Sequence, residues 1–343
     1  MHVLTDVPLA ELTTLRIGGP ARRLVEVSTE AEMLSTVAGC DARGEPLLLL
    51  GGGSNVVIGD EGFDGTVLRI ATGGVEVADD EGGARVRVAA GEPWDALVAR
   101  AVNEGLVGLE ALSGIPGLTG ATPVQNVGAY GQEVAQTLEE VRVWDREHGE
   151  VCTFSNAECQ FRYRHSRFKG TERYVMLEVT FRLQRGTLGA PVRYAELARA
   201  LGVAVGAGAP LRQVREAVLA LRRGKGMVID PADPDTWSAG SFFTNPVLDA
   251  EQAAALPADA PRFPEADGRV KTSAAWLIEH SGFSKGYGTG PARLSTKHTL
   301  ALTNRGAASA ADLLGLAREI RDGVRARYGV ELVNEPILVG ARL

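Results

Sequence analysis

The sequence predicts a soluble, mixed α+β protein of three lobes. Three observations carry the prediction: strand and helix signals alternate from Leu24 to about Leu68, hairpin patterns follow from Gly74 to Leu183, and two glycine-rich loops interrupt them.

In the first lobe Arg23–Val27 is rich in β-formers, and Ser28, Thr29 and Glu30 supply capping oxygens for a short helix over Ala31–Cys40. Pro46–Leu50 is fully apolar, which suits a buried strand, and Gly65–Ile70 reads as another strand. Between them Gly51-Gly52-Gly53-Ser54-Asn55 makes a turn at a strand's C-terminal end, a common ligand position in α/β sheets.

In the middle lobe Gly74–Val77 and Ala84–Ala89 alternate with period two around an acidic turn, the pattern of a hairpin. Trp94–Glu104 is an amphipathic helix with Gly105 placed to cap it. Glu140–Asp145 and Gly149–Thr153 predict a second hairpin, and Tyr174–Leu183 a strong strand, so the sheet is expected to be antiparallel. Pro191–Tyr194 leads into Tyr194–Leu197, and Leu211–Arg223 is a clear helix. Gly224–Asp235, rich in Gly, Pro and Asp, reads as a linker. The third lobe opens at Ser238–Pro246 and has helices over Ser273–His280 and Ala310–Tyr328. The tail Glu331–Gly340 reads as a strand pair returning to the first lobe.

A length of 343 residues suits two or three domains, and 45% hydrophobic with 23% charged residues is ordinary for a globular chain. The net charge of -7 argues against a general basic surface for nucleic acid or anionic membrane. No apolar run reaches the roughly 18 residues of a membrane helix, and Met1–Asp6 lacks the basic and apolar regions of a signal peptide. Cys40, Cys152 and Cys159 offer neither an even disulfide framework nor metal-ligand spacing. A cytoplasmic protein with idle thiols and no metal is expected.

The stretch Ser113–Gly131 holds five glycines and two prolines with hardly a charge. Glycine admits close backbone approach and positive φ, and proline stiffens what results. Successive exposed N–H groups form concavities that hold phosphate without a lysine. With Gly51–Asn55 this makes two such cradles, which suggests a large diphosphate cofactor. Neither loop has GxGxxG or GxxxxGK[ST] spacing, so a Rossmann or P-loop reading fails.

Together with Thr13–Pro20, Phe161–Lys169, Gly240–Pro246 and Asn334–Pro336, the two loops resemble the UDP-N-acetylenolpyruvoylglucosamine reductase family from end to end. The resemblance implies a vanillyl-alcohol-oxidase-type FAD-binding fold of two lobes plus a C-terminal α+β substrate domain. The lobes are expected at 1–70, joined by a returning strand at 329–343, and at 71–218, with the substrate domain at 219–328. FAD is implied, with NADPH as co-substrate and a sugar nucleotide as substrate, in a monomer without nucleic-acid or membrane partners. No His or Cys lies in Gly51–Asn55, which argues for a non-covalent flavin. Two alternatives remain: another FAD oxidase of the same fold, against which the Ser241 and Glu335 motifs count, and a non-redox sugar-nucleotide-binding protein, which need not keep both flavin loops.

Reducing an enolpyruvyl ether to a lactyl ether builds negative charge on the α-carbon and carboxylate, which asks for a cation, a polarising group and a proton. Arg164 alone reads as one solvated cation in a basic run with Arg162, Arg167 and Lys169; the resemblance makes it the fork on the carboxylate. Ser241 alone is a turn serine after Gly240; the resemblance makes it the proton donor, which works only if neighbours stabilise the alkoxide or a relay resupplies its proton. Glu335 alone is a lone Glu before Pro336; the resemblance sets it beside the substrate carboxylate, where it sits protonated and donates a hydrogen bond. Gly51, Gly52, Gly53, Ser54 and Asn55 are expected on the pyrophosphate. Ser113, Gly117, Gly120, Ala121, Thr122 and Gly128 are expected along the flavin and adenine. Tyr194, set in the insertion of the family's longer subtype, Lys225, Asn245 and Lys285 are expected on the nucleotide, with Lys297 and His298 as further polar candidates.

Overall fold

A computed structural model describes residues 1–265 and 267–343. Contacts divide the chain into two compact units. The first comprises Met1–Val7, Arg22–Gly52 and Asp64–Gly224, the second Pro8–Ala21, Gly53–Phe63 and Lys225–Leu343. Neither is continuous in sequence, and the Gly51–Asn55 turn passes from one to the other between Gly52 and Gly53.

The first unit holds two sheets. In one, four strands lie in the order His2–Pro8, Pro20–Val27, Phe63–Ile70, Leu47–Leu50, and the last two run parallel with Leu47 opposite Thr66. The helix Glu30–Arg43 starts where the Thr29 hydroxyl accepts the Glu32 amide at 3.2 Å, and it stops at Gly44 with φ +60. Its apolar face places Met33, Val37 and Cys40 against Val25, Val27, Leu47 and Leu68.

The second sheet is antiparallel, in the order Glu150–Ser155, Leu138–Asp145, Tyr174–Arg185, Gly83–Ala89, Val75–Asp80. Both expected hairpins form, with Val75 opposite Val88 and Val143 opposite Cys152. The helix Trp94–Asn103 buries Trp94, Leu97, Val98 and Ala101 against this sheet, and Gly105 follows it at φ +69. The helices Ala195–Leu201 and Leu211–Gly224 share a smaller core with Ala111 and Val192.

The second unit is organised by the helix Ala310–Tyr328, opened by a reciprocal capping box between Ser309 and Asp312; an N-cap of this kind stabilises a helix by about 1 kcal/mol. It buries Leu313, Leu314, Ala317, Ile320 and Val324 in one core with Leu277, Ile278, Phe242 and Phe243.

Two expectations are corrected here. Of the tail, only Ile337–Val339 is a strand, pairing in parallel with Val56–Ile58; Asn334 makes one isolated bridge to Phe243. Pro336 has no N–H with which to continue a ladder between these two contacts. The stretch Gly224–Asp235 is not a linker throughout. Asp235 is 5% exposed, because its carboxylate accepts from the Thr296 amide at 2.8 Å, the Thr296 hydroxyl at 2.5 Å and Arg305 at 2.9 Å.

Candidate functional site

In the first unit the two glycine loops meet backbone to backbone. A Cβ on Gly52 would stand 2.8 Å from Gly117 Cα, and one on Gly120 would stand 2.5 Å from Ala90 Cβ. Bonds that hold the long loop include Gly114 N–H to the Asp95 carboxylate at 2.6 Å, Trp94 N–H to Gly117 O at 3.0 Å, Thr119 N–H to Glu92 O at 2.8 Å, and Gly120 N–H to Ala90 O at 2.9 Å. Burial pushes the Asp95 carboxyl up, but the Arg215 fork at 2.6 and 2.8 Å and the Gly114 amide outweigh it and hold it below the usual carboxylate range. Ser113 is fully buried with its hydroxyl on Glu110 O at 2.7 Å, and Thr122 turns its hydroxyl to Thr119 O at 2.8 Å. These two side chains serve their own loop, so what the loop offers a ligand is backbone. In the second unit Gly53 takes φ +58, where a Cβ would overlap Leu12 O, and its carbonyl accepts the Thr14 amide at 3.0 Å. Backbone amides and small side chains, with no lysine among them, are the donor set that a pyrophosphate needs, so the residues present fit FAD.

Around the Gly128–Gly131 end of the loop the first unit gathers the candidates Arg164 and Tyr194 with Tyr130 of the loop itself. Arg164, with φ +50, reaches Gly128 O at 2.8 Å through Nη2 and Asn126 O at 3.5 Å through Nη1. Tyr130, also left-handed at φ +50, meets Tyr194 edge-on with ring centroids 5.6 Å apart. Burial pushes the Tyr130 hydroxyl up to about 12, whereas Tyr194 is 48% exposed. Tyr194 immediately precedes the helix Ala195–Leu201, which fixes its backbone. With Asn126 at φ +48, three non-glycine residues are held at positive φ beside one turn, the kind of strain that concentrates at functional sites.

In the second unit Phe242 joins three segments. Its N–H donates to Leu300 O at 2.7 Å, and its carbonyl accepts the Glu335 amide at 2.8 Å. Ser241, one residue earlier, therefore sits beside both the Glu335 segment and the Ser295–Ala301 turn. Its hydroxyl lies 3.5 Å from His298 Nε2. Asn55 Nδ2 donates to Glu335 O at 3.5 Å, so the glycine-turn asparagine touches the same segment. Asn245 accepts the Ala274 amide at 3.0 Å through Oδ1. Lys285 is exposed, one residue before Gly286, whose N–H donates to Ser295 O at 3.1 Å. Lys225 is half-buried beside Gly226, and Lys297 pairs with Asp233 at 2.5 Å.

Sequence reasoning missed the carboxylates that hold these surfaces. Glu110 is 1% exposed and accepts Gly108 N–H and Ala190 N–H, each at 2.7 Å, and Gln132 Nε2 at 3.2 Å. Asp95 and Asp235 do the same work elsewhere. Asp95, in the first turn of a helix, reads from sequence as a dipole partner, and nothing local marks the other two.

Comparison with known proteins gives a consistent picture. A sequence-family model described as UDP-N-acetylenolpyruvoylglucosamine reductase, C-terminal domain, matches residues 231–339, and one described as FAD binding domain matches 21–155. A UDP-N-acetylenolpyruvoylglucosamine reductase from Streptomyces coelicolor is 59% identical over 352 residues, covering 99% of this chain and 91% of that protein. One from Thermobifida fusca is 57% identical over 349 residues, covering 98% of each. The crystal structure of the reductase from Thermus caldophilus matches with a TM-score of 0.68 at 27% identity, covering 99% of both chains.

Proposed function

The chain belongs to the UDP-N-acetylenolpyruvoylglucosamine reductase family, and from that premise we propose how its own residues carry out the reaction. The two matched domains and the Thermus structure bear out the vanillyl-alcohol-oxidase-type FAD-binding fold with its C-terminal substrate domain. The enzyme reduces enolpyruvyl-UDP-N-acetylglucosamine to UDP-N-acetylmuramate for peptidoglycan synthesis, with FAD as cofactor and NADPH as co-substrate. When bound, FAD supplies the hydride chemistry, accepting from NADPH and donating to the alkene.

Three tasks then fall to side chains. Arg164 sets its guanidinium fork on the substrate carboxylate, where charge grows as hydride reaches the β-carbon. Ser241 gives its hydroxyl proton to the α-carbon, and Glu335 donates a hydrogen bond from a protonated carboxyl to the same carboxylate. Gly51, Gly52, Gly53, Ser54 and Asn55 would hold the pyrophosphate of FAD through backbone and side chains, and Ser113, Gly117, Gly120, Ala121, Thr122 and Gly128 would line the flavin and adenine. Tyr194 covers the nucleotide, Lys225 and Lys285 supply charge to its diphosphate, and the Asn245 amide bonds it. In this reading 1–70 with 329–343 and 71–218 are the cofactor lobes, and 219–328 is the substrate domain. NADPH and nucleotide sugars are cytoplasmic metabolites, so the reaction belongs in the cytoplasm; among the described residues no helix is long and apolar enough to cross a membrane.

The observation that carries the residue assignment is the position of Phe242, which sets Ser241 next to the Glu335 segment. The test is an anaerobic titration followed at the flavin band. NADPH should bleach the band and enolpyruvyl-UDP-N-acetylglucosamine alone should restore it. Bleaching without recovery would reject the substrate.

A further inference from the structure

Serine is too weak an acid to protonate carbon unless its own oxygen is resupplied as it gives the proton away. The geometry points to His298 as the group that does so: we propose that its Nε2 is the proton-relay partner of Ser241. The inference rests on the reading of Ser241 as proton donor.

The imidazole is placed with unusual care for a short loop. Ser295, fully buried, accepts the amides of Lys297 at 3.0 Å and His298 at 3.2 Å on one hydroxyl. His298 O accepts the Ala301 amide at 3.1 Å, and Ser295 N–H closes the turn on Ala301 O at 2.8 Å. Asp235 braces the turn through both the amide and the hydroxyl of Thr296. The neighbouring Leu300 carbonyl takes the amide of Phe242, which fixes Ser241 against the same turn. The result is the 3.5 Å approach of Ser241 Oγ to His298 Nε2. That is the long edge of a hydrogen bond, and such contacts commonly tighten when substrate binds.

The step balances. The Oγ–H bond of Ser241 breaks as a C–H bond forms at the α-carbon, and the imidazolium Nε2–H passes its proton to the serine oxygen. A neutral imidazole remains, which solvent reprotonates. No further oxidant or reductant is needed, because the hydride has already supplied the electron pair. Only the protonated imidazole can relay, so the flavin-reoxidising half-reaction should slow as alkali removes that proton. Among the described residues, the charged groups around the turn include Lys297 paired with Asp233, Asp235 paired with Arg305, Glu279 bonded to Thr299, Glu335 on the segment bonded to Phe242, and exposed Lys285 beside Gly286, whose N–H donates to Ser295 O.

The experiment uses the FAD-loaded enzyme, reduced anaerobically with one equivalent of NADPH and mixed with enolpyruvyl-UDP-N-acetylglucosamine in a stopped-flow across pH 5.5 to 9.5. In H298Q, whose amide still reaches Ser241 but does not titrate, reoxidation at saturating substrate should slow roughly tenfold or more. Its alkaline fall should flatten, reduction by NADPH should stay close to the parent rate, and adding S241A to H298Q should slow it no further than S241A alone. An unchanged saturating rate and pH profile, with only substrate affinity weakened, would make His298 a nucleotide contact and overturn the relay. Normal reoxidation in S241A would overturn the reading of Ser241 itself, whatever H298Q does.

Discussion

The Gly114–Gly131 loop of the first unit and the Ser295–Ala301 turn of the second both hold a candidate surface still, by opposite means. The loop is fixed by what it lacks. Its glycines let backbone approach backbone, at Gly52 against Gly117 and at Gly120 against Ala90, and most of its bonds run from main chain to main chain. The turn is fixed by side-chain oxygens: the Ser295 hydroxyl takes two amides and the Asp235 carboxylate takes three donors. A surface made without side chains is broken by adding an atom, and one made with them is broken by removing an atom.

The largest effect should follow removal at the turn side. Ser241→Ala is expected to slow flavin reoxidation by substrate roughly a hundredfold or more while flavin reduction by NADPH stays near the parent rate; stopped-flow traces of the two half-reactions check it. Addition at the loop comes next. Gly120→Ala should destabilise the protein by about 1–3 kcal/mol, since its methyl meets Ala90 Cβ at 2.5 Å, and should lower the flavin-to-protein absorbance ratio after purification. Gly290→Ala, where a Cβ would meet nothing within 4 Å, should change stability by less than about 0.5 kcal/mol. Equal losses in the two variants would remove the contrast.

Ser295→Ala should cost about 1–2 kcal/mol, because it strips two part-buried amides of their acceptor, and should leave bound flavin at the parent level. Urea unfolding read beside the flavin ratio separates it from Gly120→Ala. The smallest effect sharpens the comparison, for on the loop side a carboxylate, Asp95, holds a loop amide. Its pKa lies below the ordinary value of about 3.9, so its contribution is complete above that pH and fades as pH falls through the depressed value. Asp95→Asn should therefore melt lower than the parent at pH 6, by about 0.5 kcal/mol once solvent screening at its part-exposed carboxylate is allowed for, and the gap should close as pH falls through the depressed value. A gap that widens in acid would show that the sign is wrong.

These differences also explain what was legible in the sequence. Glycine spacing, hairpin alternation and helix caps are local patterns, so both hairpins and the helices Glu30–Arg43 and Ala310–Tyr328 emerge within a few residues of their observed bounds. The strand His2–Pro8 is almost wholly exposed, so it carries no apolar alternation to read. Asp235 sat within an apparent linker because its partners, Thr296 and Arg305, lie more than sixty residues downstream. The passage from one unit to the other at Gly52 to Gly53 leaves no compositional mark, since a glycine stands on each side of it. Candidate chemistry was visible one residue type at a time. The neighbour of Ser241 was not, because nothing local ties position 241 to position 298.

The parallel pairing of Val56–Ile58 with Ile337–Val339 sets a schedule for synthesis. Ile337 N–H donates to Asn55 O at 3.0 Å, and Asn55 reaches Glu335 across 280 residues of chain. A ribosome adding on the order of 5–20 residues per second leaves the early turn waiting roughly 15–55 seconds for its partner. During that interval the edge of Val56–Ile58 is uncovered and open to other strands. A nascent chain stalled between Gly224 and Glu335 would thus hold an intact long glycine loop and an unfinished second unit. Partial products of translation should be proteolysed from that unit first.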